Sequence, residues 1–427
     1  MKLFKCQNCG QAVYFENRFC GNCNHALGFL PGAGIIAALE PAGDDAFVAL
    51  TPKRPSVRYC ANITHDACNW LIPLNADGDF CTACRHNRTI PDISIERNLQ
   101  HWRKMEIAKH RLFYTLLALR LPLENINDNP THGLTFDFLA EDPSQNVKIL
   151  TGHDDGVITI NLNEADAALR EKFRTAMGEP YRTLLGHFRH EVGHYFWDVL
   201  VRDGGRLDEC REIFGDERQD YGEALKRHYA EGAPADWQEH HISTYATAHP
   251  WEDFAETWAH YLHIYDTLET AAAFGLRIQP GGAKNRALMA DLTSAPAPAK
   301  SVQPLIDAWL PLTFAVNSIN RSMGLADMYP FIVSPAVVKK LQFIQDIIQA
   351  GAKPAARKRG LFNRLMGAGP EQPPSQPPAP PGPPIQPPPP GPDRPPITEP
   401  PHEPSFPETP PEIPPGGPAE VPVPMRV

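Results

Sequence analysis

The chain has 427 residues, of which 47 are proline and nine cysteine, and a formal net charge of −10. Its length allows more than one domain and a sizeable core, and the moderate acidity excludes a globally basic nucleic-acid binder. Of the prolines, 27 fall between Pro370 and Pro424, where large apolar residues are almost absent, so residues 370–427 are expected to be a disordered, stiffly extended tail. Met1 to Lys5 lead straight into Cys6 and polar residues, without the apolar core of a signal peptide, and no run is long enough to span a bilayer. Eight cysteines lie in two ordered groups within the first 84 residues, which suits metal thiolates in a reducing, cytoplasmic compartment.

Residues 1–30 contain Cys6-x-x-Cys9 and Cys20-x-x-Cys23. Two such knuckles can place four thiolates tetrahedrally around one zinc, and a segment this short needs such a staple to fold. A zinc ribbon is expected, with iron in a rubredoxin-like site as the alternative. Residues 53–92 carry a second group, Cys60, Cys68, Cys81 and Cys84, around an Asn75 to Asp79 turn, and a second structural zinc is expected there, with His65 able to replace one cysteine. Residues 53–111 hold ten Lys or Arg against six Asp or Glu, which gives only a weak argument for nucleic acid.

Between residues 94 and 121 the spacing of Leu99, Trp102, Ile107, Leu112, Leu116 and Leu119 predicts an amphipathic helix ended by Pro122. Residues 133–139 and 147–162 read as strands, with an Asp154-Asp155-Gly156 turn. A helix over residues 181–201 follows. Its apolar face is Tyr181, Leu185, Phe188, Val192, Phe196 and Val199, and His190-Glu191-Val192-Gly193-His194 sits within it. Histidines four apart project side by side and can hold one metal ion, while Glu191 beside them can take a proton from the water that the metal activates. Gly204-Gly205 should stop this helix, and another is expected over residues 207–230, with Cys210 in the core and Asp216, Glu217 and Asp220 on a solvated face.

His249 to His260 reads as a further helix, with Pro250 suited to its first turn. Glu252 and Glu256 are four apart on one face. A zinc with two histidines wants one more protein ligand and an open position, and either glutamate could supply it. The preferred assignment is Glu252 as ligand and Glu256 as the carboxylate that orients a ligating histidine. Helices near residues 305–312 and 336–348 close the globular part, and a basic segment, residues 351–369, leads to the tail.

The HExxH helix followed by Glu252-Asp253-Phe254-Ala255-Glu256-Thr257-Trp258-Ala259 resembles zincin metallopeptidases with a glutamate third ligand, the class of thermolysin and anthrax lethal factor. Cysteine knuckles together with His249-Pro250-Trp251-Glu252 look like the bacterial zinc-ribbon, zinc-binding metallopeptidase family, over roughly residues 1–350. The lethal-factor type implies Glu252 as ligand and Tyr245, seven residues earlier, as the donor to the oxyanion; a nearby histidine is the alternative donor. The expectation is therefore an α+β chain: ribbon (1–30), second cysteine segment (53–92), mainly helical zincin-like domain (93–350), linker and tail. Its expected cofactors are one catalytic and two structural zinc ions, and its partners a peptide or protein substrate and proteins docking on the ribbons or tail. The competing reading is a zinc-ribbon regulatory protein that binds nucleic acid or protein and keeps the zincin core as a scaffold.

Overall fold

The computed structural model describes residues 2–141, 149–176, 183–281, 286–296 and 299–352. Tyr181, the tail and the linker beyond residue 352 lie outside them. Within them the fold is α+β, a cysteine-rich β region followed by a mainly helical region with small sheets.

The short pair β1 (Phe4–Lys5) and β2 (Ala12–Val13) opens the chain. An antiparallel sheet follows, its strands adjacent in sequence order: β3 (Ala26–Leu30), β4 (Ile35–Pro41), β5 (Phe47–Ala49), β6 (Ser56–Tyr59) and β7 (Leu71–Pro73). Residues 31–52, for which the sequence pattern predicts no element, thus form the middle of the sheet that joins the two cysteine groups. They escape a periodicity reading because both faces of β4 are covered. Ile36 and Ala38 face the main core, while Ala37 and Leu39 pack with Val57 and Leu71 on the other side, so no polar residue alternates with them.

A second sheet uses β8 (Asn87–Thr89), β9 (Thr135–Leu139), β10 (Gly152–Asp154) and β11 (Val157–Asn161) in the order β10-β11-β9-β8. Strands β8, β9 and β11 are parallel, and β10 pairs antiparallel to β11 as the edge. The β10–β11 turn is Asp155-Gly156, at φ +44° and +87°, the two left-handed positions that a two-residue hairpin requires. Helix α1 (Glu96–Ala118) lies between β8 and β9 in sequence. It buries Trp102, Leu112 and Leu116 as its spacing predicts. Ile107 instead faces solvent, and the inward face also carries Glu106, Lys109 and His110.

The helical region comprises α2 (Ala167–Ala176), α3 (Leu184–Phe196), α4 (Leu207–Phe214), α5 (Tyr221–Glu231), α6 (Trp237–His240), α7 (Pro250–Ala273), the strand pair β12 (Arg277–Ile278) and β13 (Ala290–Asp291), then α8 (Gln303–Ser322) and α9 (Pro335–Gly351). The single helix expected over residues 207–230 is two. Gly215 at φ +99° ends α4, and the Asp220 side chain accepts from Glu223 N to start α5. Asp216 and Glu217 pair with Arg218 and Arg211, and Cys210 is buried. Helix α3 starts at a Thr183 cap and continues as a π-helical turn, Trp197–Arg202.

The centre of this region is the contact of α3 with α7, where Phe196 stacks on Trp258 at 4.8 Å between ring centroids. Gly193 makes the close approach possible: a β-carbon there would lie 3.1 Å from Ala255 Cα and 3.2 Å from the Trp258 ring. Among the described residues no helix is long and apolar enough to cross a membrane.

Candidate metal centres

Helices α3 and α7 bring His190, His194 and Glu252 together. His190 Nε2 lies 2.9 Å and His194 Nε2 3.6 Å from Glu252 Oε2. His190 Nδ1–H donates to Glu256 Oε1 at 2.7 Å, which fixes the ring with Nε2 turned toward Glu252. Glu256 Oε2 in turn accepts from Ser243 Oγ at 2.6 Å. Burial would raise the Glu256 pKa, but His190 and Ser243 hold it down to about 2. The buried Glu252 Oε2 has no hydrogen-bond donor aligned on it among the described residues, while Tyr221 Oη donates to the other oxygen at 2.7 Å. Three lone-pair atoms that face one another in a buried place, one of them orphaned, are a set that fits a divalent cation such as zinc.

The arrangement follows from local sequence. His249 caps α7 by accepting from Trp251 N, Pro250 takes the first turn, and Glu252 then sits at the start of the helix facing α3. Trp251 packs on the His194 ring at 3.8 Å between centroids and fixes its plane. Tyr245 lies in a short turn, Tyr245–Thr247, before α7, with its ring 5.8 Å from that of His190. Burial, then the Glu252 charge, keeps its hydroxyl protonated well above the usual range.

Glu191 has a partner that the sequence reading missed. His187, one turn earlier on α3, places Nε2 3.2 Å from Glu191 Oε1, and its Nδ1–H donates to Glu164. Burial alone would lower the His187 pKa, but the Glu164 and Glu191 carboxylates outweigh it and push it up to about 10. Glu191 itself is held below the carboxylate range, burial being outweighed by His187 and the other imidazoles. The four-residue spacing of His187 and Glu191 was a usable signal. Glu164, Tyr221 and Ser243 had none, because each arrives from a distant segment.

On the sheet side, β10 packs beside α3, and His153 stacks 6.3 Å from His194. Burial pushes the His153 pKa down to about 4, and its Nε2 accepts from Gly156 N. An open cavity of about 450 Å³ lies over β10 and β11, lined by Thr151, Gly152, His153, Asp154, Val157, Thr159 and Arg88. Of the other histidines near α7, His260 meets Tyr329 Oη at 2.7 Å and His263 Nδ1 accepts from Arg189 at 2.6 Å, so both serve packing.

In the β region, Cys6, Cys9, Cys20 and Cys23 converge, with Sγ separations of 3.6 Å (Cys6–Cys23) and 3.5 Å (Cys9–Cys20). Cys60, Cys68, Cys81 and Cys84 also converge, all buried, with Cys68 and Cys81 3.8 Å apart. Sulfurs bonded to one zinc at about 2.3 Å are about 3.8 Å apart, so both sets fit the ion. His65 is not at the second set. It sits against Trp102, and the imidazole that α1 brings to these sulfurs is His110.

Comparison with known proteins agrees with this layout. Residues 98–347 match the family model described as "Putative zinc-binding metallo-peptidase", and residues 3–95 match a zinc-ribbon domain that covers both cysteine groups. The chain is 42% identical over 372 residues to the uncharacterized proteins Rv2568c of Mycobacterium tuberculosis and Mb2598c of Mycobacterium bovis, covering 84% of this chain and 99% of each relative. No solved structure matches it. The metallo-peptidase match spans more than half of the sequence and contains both helices of the His190–Glu252 centre; the chain therefore belongs to this zinc-binding metallo-peptidase family and opens with a zinc ribbon.

Proposed function

We propose that the chain is a zinc-dependent peptidase whose site is His190, His194 and Glu252 with Glu191 beside them. The observation that carries this reading is the convergence of two imidazole Nε2 atoms on an orphaned buried carboxylate oxygen, one residue away from a second carboxylate. A zinc ion held there would supply a Lewis acid that acidifies water and polarises a carbonyl. Glu191, ionised and aimed by His187, accepts the proton of the attacking water and returns it to the leaving amine. Tyr245, kept protonated, donates to the oxyanion that forms on the scissile carbonyl. Glu256 holds the His190 ring and Tyr221 holds Glu252.

The substrate class follows from the edge strand. Among the described residues β10 is the edge strand of its sheet, and an extended peptide pairing there would run past His153 toward His194. Thiolate centres suit a reducing compartment, consistent with action in the cytoplasm.

The test is metal content and cleavage on the full-length protein. Wild type should carry about three zinc ions and His190→Ala about two. Against a mixed peptide library, Glu191→Gln should keep the ion and lose about 10²–10⁴ in rate. A folded, zinc-loaded Glu191→Gln protein that cleaves as fast as wild type would refute the mechanism. Salt-sensitive binding of nucleic acid with no cleavage by either protein would favour a regulatory protein instead.

A further inference from the structure

Glu164 stands in the middle of a chain of contacts that starts at the sheet edge. It lies in the short turn Leu162–Ala165 that follows β11, and Asn161 caps this turn by accepting from Asn163 N. Its backbone carbonyl accepts from the Arg170 guanidinium at 2.5 Å, and its side chain is only 12% exposed. Both carboxylate oxygens are engaged: Oε1 accepts from Thr151 Oγ1 at 2.5 Å, and Oε2 accepts from His187 Nδ1. Thr151 immediately precedes β10, and its hydroxyl oxygen also accepts from Asn161 N at 3.0 Å, which ties it to the end of β11. On the far side of the imidazole, His187 Nε2 faces Glu191 Oε1 at 3.2 Å. Thr151, Glu164, His187 and Glu191 therefore connect the edge strand to the carboxylate beside the metal ligands without a gap.

An imidazole that meets a carboxylate at each nitrogen donates from both, and so carries both protons. Burial opposes the charge on His187, and the two carboxylates sustain it. While Glu191 is ionised, the imidazolium is shared between two anions. When Glu191 has taken a proton from water, Glu164 still faces the imidazolium. Without Glu164 the same step would leave a largely buried cation uncompensated, which opposes proton uptake by Glu191.

We propose that Glu164 is the positioning residue for the base: it holds the His187 ring so that Nε2–H aims Glu191, and Thr151 ties that aim to the edge strand on which an extended peptide would pair. Peptide and base then share one frame, because the strand that would carry the first also anchors the second. The rate effects expected from this arrangement rest on the peptidase reading, whereas its effect on the His187 ring rests on the contacts alone.

The test uses full-length, zinc-loaded protein and a peptide that wild type cleaves. Its readouts are zinc per chain, kcat and KM, and the ring ¹⁵N resonances of His187, assigned by their absence from His187→Gln. Glu164→Gln keeps the size of the side chain and removes its charge. It should lower the His187 titration midpoint by about 1–3 pH units and cut kcat about 10-fold, with KM and zinc content unchanged. Thr151→Val should act in the same direction and by less. Added to His187→Gln, neither substitution should cause a further loss, since both act through that ring. If Glu164→Gln does not fold, Thr151→Val in wild type and in His187→Gln carries the same rate test. Losses that multiply, a wild-type kcat in Glu164→Gln, or a His187 midpoint that stays in place would each overturn the proposal. Absence of cleavage by wild type would count against the peptidase reading instead, and the His187 midpoint alone would then decide whether Glu164 holds the ring.

Discussion

The chain holds two kinds of candidate metal centre, and they differ in how their donors reach the ion. In the ribbon the donors are cysteines, four per centre, paired in Cys-x-x-Cys knuckles except Cys60 and Cys68, with no position left over for a substrate. Between α3 and α7 the donors are two imidazoles and a carboxylate, with Glu191 and Tyr245 nearby and an edge strand alongside. A closed shell of sulfur contributes folding energy; a three-donor site with an open position contributes chemistry. Exposure separates the two ribbon centres as well. Cys9 is exposed and Cys23 partly so, whereas all four cysteines of the second centre are buried within the main core.

The sharpest way to break this comparison is to remove one ligand of each kind. Cys81→Ser should lose one ion and with it the native packing around Trp70 and Trp102, read as lost near-ultraviolet circular dichroism and a collapsed melting transition. A centre of this kind is worth on the order of 10 kcal/mol, comparable to the whole stability of a domain. His190→Ala should lose its ion with the melting transition retained. Equal melting of the two variants would mean that the α3–α7 centre is structural too.

Next in size is the support behind Glu191. His187→Ala removes the cation that faces this carboxylate and leaves the Glu164 charge buried opposite it. Cleavage should fall about 10–100-fold with zinc content unchanged, and His187→Gln, which restores one donor, should recover part of the loss. A variant that loses zinc in proportion to rate would show that His187 builds the fold rather than aims the base.

Gly193→Ala probes the spacing of α3 and α7. The added methyl meets Ala255 Cα at 3.1 Å, a backbone atom that cannot rotate away, so the helices must part and draw Glu252 from the imidazoles. The expected cost is about 1–3 kcal/mol in stability, with weaker zinc binding at that centre and unchanged binding at the thiolates. Unchanged affinity in a chelator competition would show that the site absorbs the shift.

The same contrast explains what could be read from sequence. Cysteine knuckles and HExxH place their donors within one turn of chain, and Glu252 announces itself through the Pro250 helix start and through resemblance. His187 was legible by the same four-residue rule. His110 was not: it sits on a helix whose apolar stripe gives no reason for buried Glu106, Lys109 and His110; sulfurs 22 to 42 residues away face Glu106 and His110, and Lys109 pairs with Glu106. Strand β4 was lost for the opposite reason, since burial on both faces removes the alternation by which a strand is recognised. The break at Gly215 depends on a backbone angle that one glycine permits and an apolar count does not register.

The smallest expected effect concerns pH behind α7. His241 packs between α7 and α9, with Asp253 Oδ2 3.7 Å from its Nε2 and Lys340 Nζ on the same Asp253 oxygen at 2.5 Å. Burial, then the Lys340 and His240 charges, pushes the His241 pKa down to about 4. An unfolded histidine titrates near 6.5, so the folded chain resists protonation that the unfolded chain accepts. The stability from this group is therefore present above about pH 6.5 and is lost as the pH falls toward 4, by on the order of 1 kcal/mol after allowance for its partial exposure. His241→Asn should flatten that part of the melting profile by a few degrees while zinc content and cleavage at pH 7.5 stay at wild-type level. An identical acid slope in wild type and variant would assign the loss to the imidazoles of the α3–α7 centre, where competition between protons and zinc takes over.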